Sequence, residues 1–144
     1  MSDQGTQDRF LRWATMAFVI GWAIHGLDHF RRGMSASPPF IMAAGTVQAV
    51  LVVLAVVLVV RRQPRAPLAA VVVGSASALG FTWAHLLPTV LPGYQDSFVS
   101  LPHINVTWFF WFSALTEIGT AVVFALAGLR QVNRARAADL TASG

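Results

Sequence analysis

The chain contains no cysteine and no lysine, and only 11% of its 144 residues are charged. The absence of cysteine excludes disulfides, thiolate metal ligands and cysteine nucleophiles, and it leaves the redox compartment undetermined. Because a soluble domain usually carries about 25% charged residues, the shortage of charge argues against a soluble protein. A hydrophobic content of 56% points the same way.

Several catalytic signatures are also missing from the chain. There is no glycine-rich phosphate-binding loop, no Ser-His-Asp arrangement with suitable spacing and no His-Glu-x-x-His motif. These absences exclude the corresponding nucleotide-binding and hydrolase classes, and they leave open whether the protein is an enzyme.

Long apolar segments are what the chain has in place of charge. Four of them cover residues 10–30, 40–60, 67–87 and 104–129. Each is near or above the roughly 20 residues that a helix needs to cross a bilayer core of about 30 Å. Lipid cannot hydrogen-bond the backbone, so each segment should be helical. The sequence therefore predicts an all-α integral membrane protein, a single domain built as an antiparallel four-helix bundle, with residues 130–144 as a cytoplasmic tail.

The distribution of arginine gives the orientation of the helices. Positive charge concentrates on the cytoplasmic side of membrane proteins. Only Arg31 and Arg32 would lie on the opposite side of the four spans. The other eight share one side: Arg9, Arg12, Arg61, Arg62, Arg65, Arg130, Arg134 and Arg136. We therefore expect both termini in the cytoplasm, at the inner membrane of a bacterium, and we read the high isoelectric point as membrane topology and not as nucleic-acid binding.

The stretch "HGLDHF" places polar residues at the outer end of the first span. His25 and His29 are four residues apart and so share one face of a helix, with Asp28 beside them. His85 falls at the outer end of the third span and His103 at the start of the fourth. The topology therefore brings all four histidines to one side of the membrane.

Histidines gathered in this way are typical of a metal site. Imidazole is a good ligand for zinc, iron, nickel and copper, and two histidines at i and i+4 can hold one ion from a single helix face. The predicted ligands are His25, Asp28, His29, His85 and His103. Zinc or iron is favoured over copper, because a copper site usually recruits sulfur.

Structural interpretations of the same residues stay open. His25 could hydrogen-bond Gln48 or Thr82 across helices. The role of Asp28 could be limited to ion pairs with Arg31 and Arg32. Polar groups of this kind often hold membrane helices together through interhelical hydrogen bonds. On that reading the protein is a non-catalytic subunit or scaffold.

Two further hypotheses use other features. The protein could be an electron carrier with a haem b held by His25 and His85. Aromatic residues near the outer helix ends, including those in the run 107–112, would then line the haem pocket. Glu117 lies near the membrane centre, about 20 Å along the helix from residue 104. It is a candidate proton-transfer group, a counter-charge for a substrate, or a hydrogen-bonding partner of Ser77, Thr116 or Gln48. The expected partner is the lipid bilayer. Whether the chain also forms a homodimer or joins a larger membrane complex stays open.

The second outer loop, residues 88–103, is long and carries one charge, Asp96. Its apolar residues are too many for a solvated loop. We expect it either to lie at the membrane interface, where aromatic residues settle, or to fold back over the helix ends as a cover for the histidines.

Overall fold

The computed structural model describes residues 2–33, 35–101 and 105–143, with their side chains from residue 9 onward. The described part of the protein is all-α: 78% of these residues are helical, and they contain no β-strand. Four helices in them are long and apolar enough to cross a membrane. The predicted all-α class with four membrane-competent helices is therefore confirmed.

The long helices are α1 (Ser2–Arg32), α2 (Pro39–Val60), α3 (Ala66–Phe81) and α4 (Trp108–Ala142). α3 continues directly into a π-helical turn, Thr82–Leu86. α4 has 35 residues, which is about 52 Å at 1.5 Å per residue. It runs through most of the segment 130–144 for which a tail is predicted above, and it exceeds the thickness of a bilayer core.

Gly33 and the prolines at 38 and 39 predict a break between the first two helices, and glycine and proline do set the ends of α1 and α2. Gly33 follows the last residue of α1 and adopts φ of +91°, a left-handed conformation that L side chains rarely adopt. Pro39 opens α2, where its missing N–H removes no helical hydrogen bond. The predicted break between the first two helices is confirmed.

α4 contacts α1 and α3 more extensively than any other pair of helices contacts each other. The sequence predicts close approach between helices at the small residues Gly21, Gly45, Gly74, Ala78 and Ala114. A Cβ at Gly21 of α1 would meet the side chain of Thr120 and the backbone of Glu117. A Cβ at Gly74 of α3 would lie 2.7 Å from the carbonyl oxygen of Ala121. The prediction that Gly21 and Gly74 allow close approach is confirmed.

α2 packs more loosely, and the same prediction is wrong for Gly45. Nothing lies within 4 Å of the position that a Cβ would take there. The buried residues of α2 are Val52, Ala55 and Val59, all in its second half. The first half contains no buried residue and therefore packs loosely against α1 and α3.

The second outer loop folds back over the end of α3, which is one of its two predicted courses. The backbone N–H of Asp96 donates to the carbonyl of Ala84 at 3.1 Å, and that of Phe98 donates to the carbonyl of His85 at 2.8 Å. These carbonyls end a helix and have no partner in a following turn. The loop supplies that partner and fixes its own position against the π-helical turn.

Candidate metal centre

Three of the four histidines meet where α1 faces the π-helical turn. His25 and His29 are one turn apart on α1, and His85 belongs to the π-helical turn. One ring nitrogen of each lies within 4.8 Å of those of the other two. His25 and His85 are buried, and His29 is partly buried. The arrangement is one that could hold a metal ion.

Local structure explains how these rings are brought together. Residues at i and i+4 project from the same helix face, and the Nε2 atoms of His25 and His29 are 3.1 Å apart. The π-helical turn changes the register of α3 by using i→i+5 hydrogen bonds. Both Ala84 and His85 are consequently buried at the end of this helix.

The Nδ1 atoms of His85 and His29, which point away from the other histidines, are held by hydrogen bonds. His85 Nδ1 lies 3.0 Å from the main-chain carbonyl oxygen of Asp96, which can only accept. His29 Nδ1 lies 3.2 Å from Ser37 Oγ, and that hydroxyl donates its own proton to Asp96 Oδ2 at 2.7 Å. Both histidines therefore carry a proton on Nδ1 and a lone pair on Nε2. A metal bound through Nε2 requires this tautomer.

His25 is held less firmly on its Nδ1 side. Ser113 Oγ donates to the carbonyl of Phe110 at 2.9 Å and lies 3.5 Å from His25 Nδ1, at the limit of a hydrogen bond. The Nε2 atoms of His25 and His29 are at hydrogen-bond distance. Because His29 Nε2 carries a lone pair, this contact requires either a proton on His25 Nε2 or a cation between the two atoms. His85 Nε2 is buried and has no hydrogen-bond partner among the described residues.

Asp96 supports two of the three histidines at once. Its carbonyl oxygen accepts from His85, and its carboxylate accepts from Ser37, which in turn accepts from His29. Arg32 donates to both carboxylate oxygens at 2.7 and 3.0 Å. Burial by itself would raise the pKa of Asp96, but the hydrogen bonds from Arg32 and Ser37 and the charge of Arg32 hold it below the ordinary value. The carboxylate is therefore ionised at neutral pH.

Arg32 is itself part of the buried structure. Its side chain is 1% exposed, and its guanidinium lies 4.0 Å from the centre of the Phe110 ring. The ring face attracts the cation. A residue expected at the outer surface thus anchors the loop over the histidines.

The remaining two predicted ligands stand differently. Asp28 Oδ1 accepts from Arg31 Nε at 2.8 Å, and Arg31 also donates to the carbonyl of Asn105 at 3.0 Å. Asp28 Oδ2 is buried without a hydrogen-bond partner in the described ranges, and Asp28 is not one of the three residues whose ligand atoms cluster. His103 lies outside the described residues and stays a prediction.

Glu117 belongs to a separate polar group. It is fully buried, and its Oε1 accepts from Gln48 Nε2 at 3.2 Å. Gln48 Nε2 also lies 3.2 Å from Ser77 Oγ. The predicted hydrogen bonding between helices is confirmed, and it joins α2, α3 and α4. Glu117 Oε2 has no hydrogen-bond partner among the residues that the structure describes.

Aromatic rings surround His85 and limit its contact with water. The ring centres of Phe81, Phe98 and Phe110 lie 5.7, 4.6 and 5.9 Å from that of His85. Of the predicted aromatic wall in α4, Phe110 is buried, whereas Trp108 is exposed. Only part of that run therefore faces the centre.

The sequence gives weak signals for the groups that support the histidines. Asp96 is the one charged residue of its loop. Ser113 is three residues after Phe110 and shares its buried face of α4. Ser37 lies in a short connection of small residues and has no distinguishing pattern.

Comparison of the chain with protein-family models, with curated proteins and with solved structures found no match. The argument for a function therefore rests on the side-chain geometry.

Proposed function

We propose that this multi-pass membrane protein binds one transition-metal ion through the Nε2 atoms of His25, His29 and His85. The observation that carries the proposal is the facing pair of Nε2 atoms on α1, 3.1 Å apart. Metal–nitrogen bonds of 2.0–2.1 Å in a tetrahedral site place two ligand nitrogens about 3.3 Å apart. The pair on α1 already has this spacing.

The third histidine needs a small movement to complete the set. The three ligand atoms spread over as much as 4.8 Å, so closing on a tetrahedral ion requires a shift on the order of 1 Å. A rotation of the His85 ring supplies such a shift. The hydrogen bond from Nδ1 to Asp96 then restrains the ring, as is usual around metal-bound histidines.

Three histidines leave one tetrahedral position for another ligand. Asp28 and His103 are proposed as further members of the site, with Asp28 acting as a ligand or as a nearby negative charge. If neither residue is a ligand, the fourth position accepts water or a substrate oxygen. Activation of water by the ion requires such an open position. The ion could instead be carried across the membrane. The histidine donors and the absence of cysteine favour zinc or iron over copper.

We further propose an antiparallel four-helix bundle in a bacterial inner membrane, with both termini in the cytoplasm. Contacts at both ends of α1 support opposite directions for α1 and α4. Arg130 lies 5.2 Å from the ring centre of Phe10, and Arg31 donates to the carbonyl of Asn105 just before α4. Eight of the ten arginines of the sequence fall on one side of the four proposed spans, which supports the orientation.

Haem b held by His25 and His85 is the second candidate. A cavity of about 620 Å³ with an apolar lining adjoins both histidines. However, their ring centres are only 5.0 Å apart, and a porphyrin between them would have to push the rings apart. A bare ion requires less rearrangement, which is why we place it first.

Elemental analysis and an absorption spectrum of one detergent-purified sample, prepared without chelators, test the proposal. We expect about one zinc or iron per chain and no Soret band. A Soret band would establish haem instead. If the sample contains no metal and no haem, even after addition of zinc or ferrous iron, the proposal is overturned. The protein would then be a scaffold whose polar residues join helices.

Substitutions locate the ion. We expect His25→Ala and His85→Ala to lose bound metal more completely than His29→Ala, because His29 is partly exposed and water can take its place. Glu117→Gln is the matched control, since it alters a buried polar residue outside the cluster. Thermal unfolding of each variant separates loss of metal from loss of fold. Equal metal content in the three histidine variants and the wild type would contradict the site.

A further inference from the structure

A small cavity of about 210 Å³ lies at the end of the helices opposite the histidines. Leu11 of α1, Val59 of α2, Ala66 of α3 and Gln131 of α4 contribute to its wall. Three of the membrane-competent segments begin or end within a few residues of it, so it lies at the level of the lipid head groups. Its volume is below the roughly 300–1,000 Å³ of sites that enclose a small molecule. The cavity therefore has room for a chemical group and not for a whole lipid.

Two arginine side chains from different elements line this cavity. Arg12 belongs to α1, and Arg62 belongs to the connection between α2 and α3. The described part of the wall contains no aspartate or glutamate, and neither guanidinium makes a hydrogen bond or ion pair with the residues that the structure describes. Ala66 and Pro67, at the start of α3, also line the cavity, and the positive end of this helix dipole adds to the attraction for an anion. The wall therefore fits a negatively charged occupant.

The backbone at Arg62 gives an independent indication. Arg62 adopts φ of +52°, a left-handed conformation that glycine usually supplies just after a helix. Its N–H donates to the carbonyl of Val59 at 3.1 Å, and the N–H of Gln63 donates to the carbonyl of Leu58 at 2.9 Å. Glycine would form the same two hydrogen bonds with less strain. Because the turn does not need an arginine, the strained position points to a role for its side chain.

The surroundings of the cavity favour a lipid over a free anion. Trp13 follows Arg12 in α1 and is 66% exposed, and tryptophan is enriched where the membrane meets water. Arg61 and Arg65 lie in the same connection as Arg62. Basic clusters directly beside a membrane helix attract anionic lipids.

We infer that this cavity binds the phosphate group of an anionic phospholipid between the guanidinium groups of Arg12 and Arg62. The guanidinium N–H groups donate to the phosphate oxygens, which is a strong, charge-assisted interaction. The acyl chains of the lipid extend into the bilayer, and no covalent bond is made or broken. The site is separate from the histidine cluster and does not depend on the metal.

Native mass spectrometry of the full chain, released from a neutral detergent, tests the inference by counting bound lipids. The probes are phosphatidylglycerol and phosphatidylcholine with the same acyl chains. We expect phosphatidylglycerol to bind about tenfold more tightly or better, because the choline cation of phosphatidylcholine competes with the arginines for the phosphate. Ammonium phosphate at the concentration of the lipid should not displace phosphatidylglycerol.

Two variants each remove one guanidinium from the cavity. Arg62→Gly also relieves the left-handed strain, so it should keep the fold, and Arg12→Gln changes an exposed position of α1. Both should weaken phosphatidylglycerol binding by about tenfold or more. Arg136→Gln is the matched control, because it removes the same charge from an exposed position of α4 that does not line the cavity. It should bind the lipid like the wild type, and thermal unfolding in detergent checks the fold of every variant.

Four results would overturn the inference. Equal affinity for the two lipids would show that lipid charge is not recognised. Unchanged affinity in folded Arg62→Gly would remove the cavity from the binding site. Equal weakening in Arg136→Gln would assign binding to the overall charge of the chain. Displacement by ammonium phosphate would make the cavity a site for a free anion. None of these variants alters the histidine cluster, so the outcome is independent of the proposed metal site.

Discussion

The Nε2 atoms of His25 and His29 lie 3.1 Å apart, with their Nδ1 atoms turned outward to two serine hydroxyls. The spacing of four residues is visible in the sequence and predicts a shared helix face. The hydroxyls of Ser37 and Ser113, which lie next to the two Nδ1 atoms, are 8 and 88 residues away in the chain. The pair is therefore positioned by contacts that the residue spacing does not reveal.

We expect Asp96→Asn to weaken metal binding by about 10- to 100-fold, the usual effect of removing a partner of a metal-bound histidine. The substitution weakens the acceptor of Ser37 and removes the charge that pairs with Arg32. The measurement is a zinc titration of purified protein against a competing chelator. Asp139→Asn is the control, because Asp139 is an exposed carboxylate in α4. Unchanged zinc affinity in Asp96→Asn would show that the Asp96 carboxylate does not support the histidines.

The ion pair between Asp96 and Arg32 makes the stability of the protein depend on pH. The pKa of Asp96 lies below its ordinary value of 3.8 in the folded protein, so its contribution is present above the unfolded value and is lost as pH falls through the lower folded value. In chelator-treated protein we expect Asp96→Asn to unfold at a lower temperature than the wild type at neutral pH. Breaking a buried ion pair costs on the order of 3 kcal/mol.

The difference between the two unfolding temperatures should stay constant down to about pH 5. It should narrow below about pH 4, where the carboxyl of the unfolded chain takes up a proton, and it should be lost once the pH falls below the lower folded pKa. Thermal unfolding in detergent across this range measures it. A difference that widens with acidification would contradict the sign of the pKa shift.

Most of the fold follows from the sequence, whereas the details of the site do not. Apolar length predicts four helices, and proline and glycine predict where α1 ends and α2 begins. The wrong assignment of Gly45 has a physical reason: small residues permit close packing but do not require it, and α2 packs loosely there. The π-helical turn at His85 has no signature in the residue pattern, because it depends on hydrogen bonds from the loop beyond it.

The packing of α3 on α4 should be sensitive to volume at Gly74. Its Cβ position lies 2.7 Å from the carbonyl oxygen of Ala121 and 2.8 Å from the amide nitrogen of Ala125. Gly74→Leu should destabilise the protein by about 1–3 kcal/mol through overpacking, measured by thermal unfolding in detergent. Gly119→Leu, with open space at its Cβ position, should be near neutral. Equal unfolding temperatures for both variants would contradict the close helix contact.

Glu117 should tolerate an amide but not truncation. Glu117→Gln keeps the oxygen that accepts from Gln48, whereas Glu117→Ala leaves Gln48 with one buried partner fewer, at a cost of about 1–3 kcal/mol. Thermal unfolding distinguishes the two, with metal content expected to be unchanged in both. If Glu117→Gln destabilises as much as Glu117→Ala, the charge or proton of Glu117 matters, and its role as a proton-transfer group gains support over interhelical hydrogen bonding.

The proposed orientation predicts the behaviour of alkaline phosphatase fusions, since this enzyme is active only outside the cytoplasm. A fusion after Gly144 should be inactive, because eight arginines fall on that side of the membrane. A fusion after Gln63 should also be inactive, and one after Val99 should be active. On the outer side of the proposed topology only Arg31 and Arg32 remain, and each donates to a carboxylate. An active fusion after Gly144 would reverse the orientation and place the histidine site, with its covering loop, on the cytoplasmic face, where it would meet cytoplasmic metal instead of external metal.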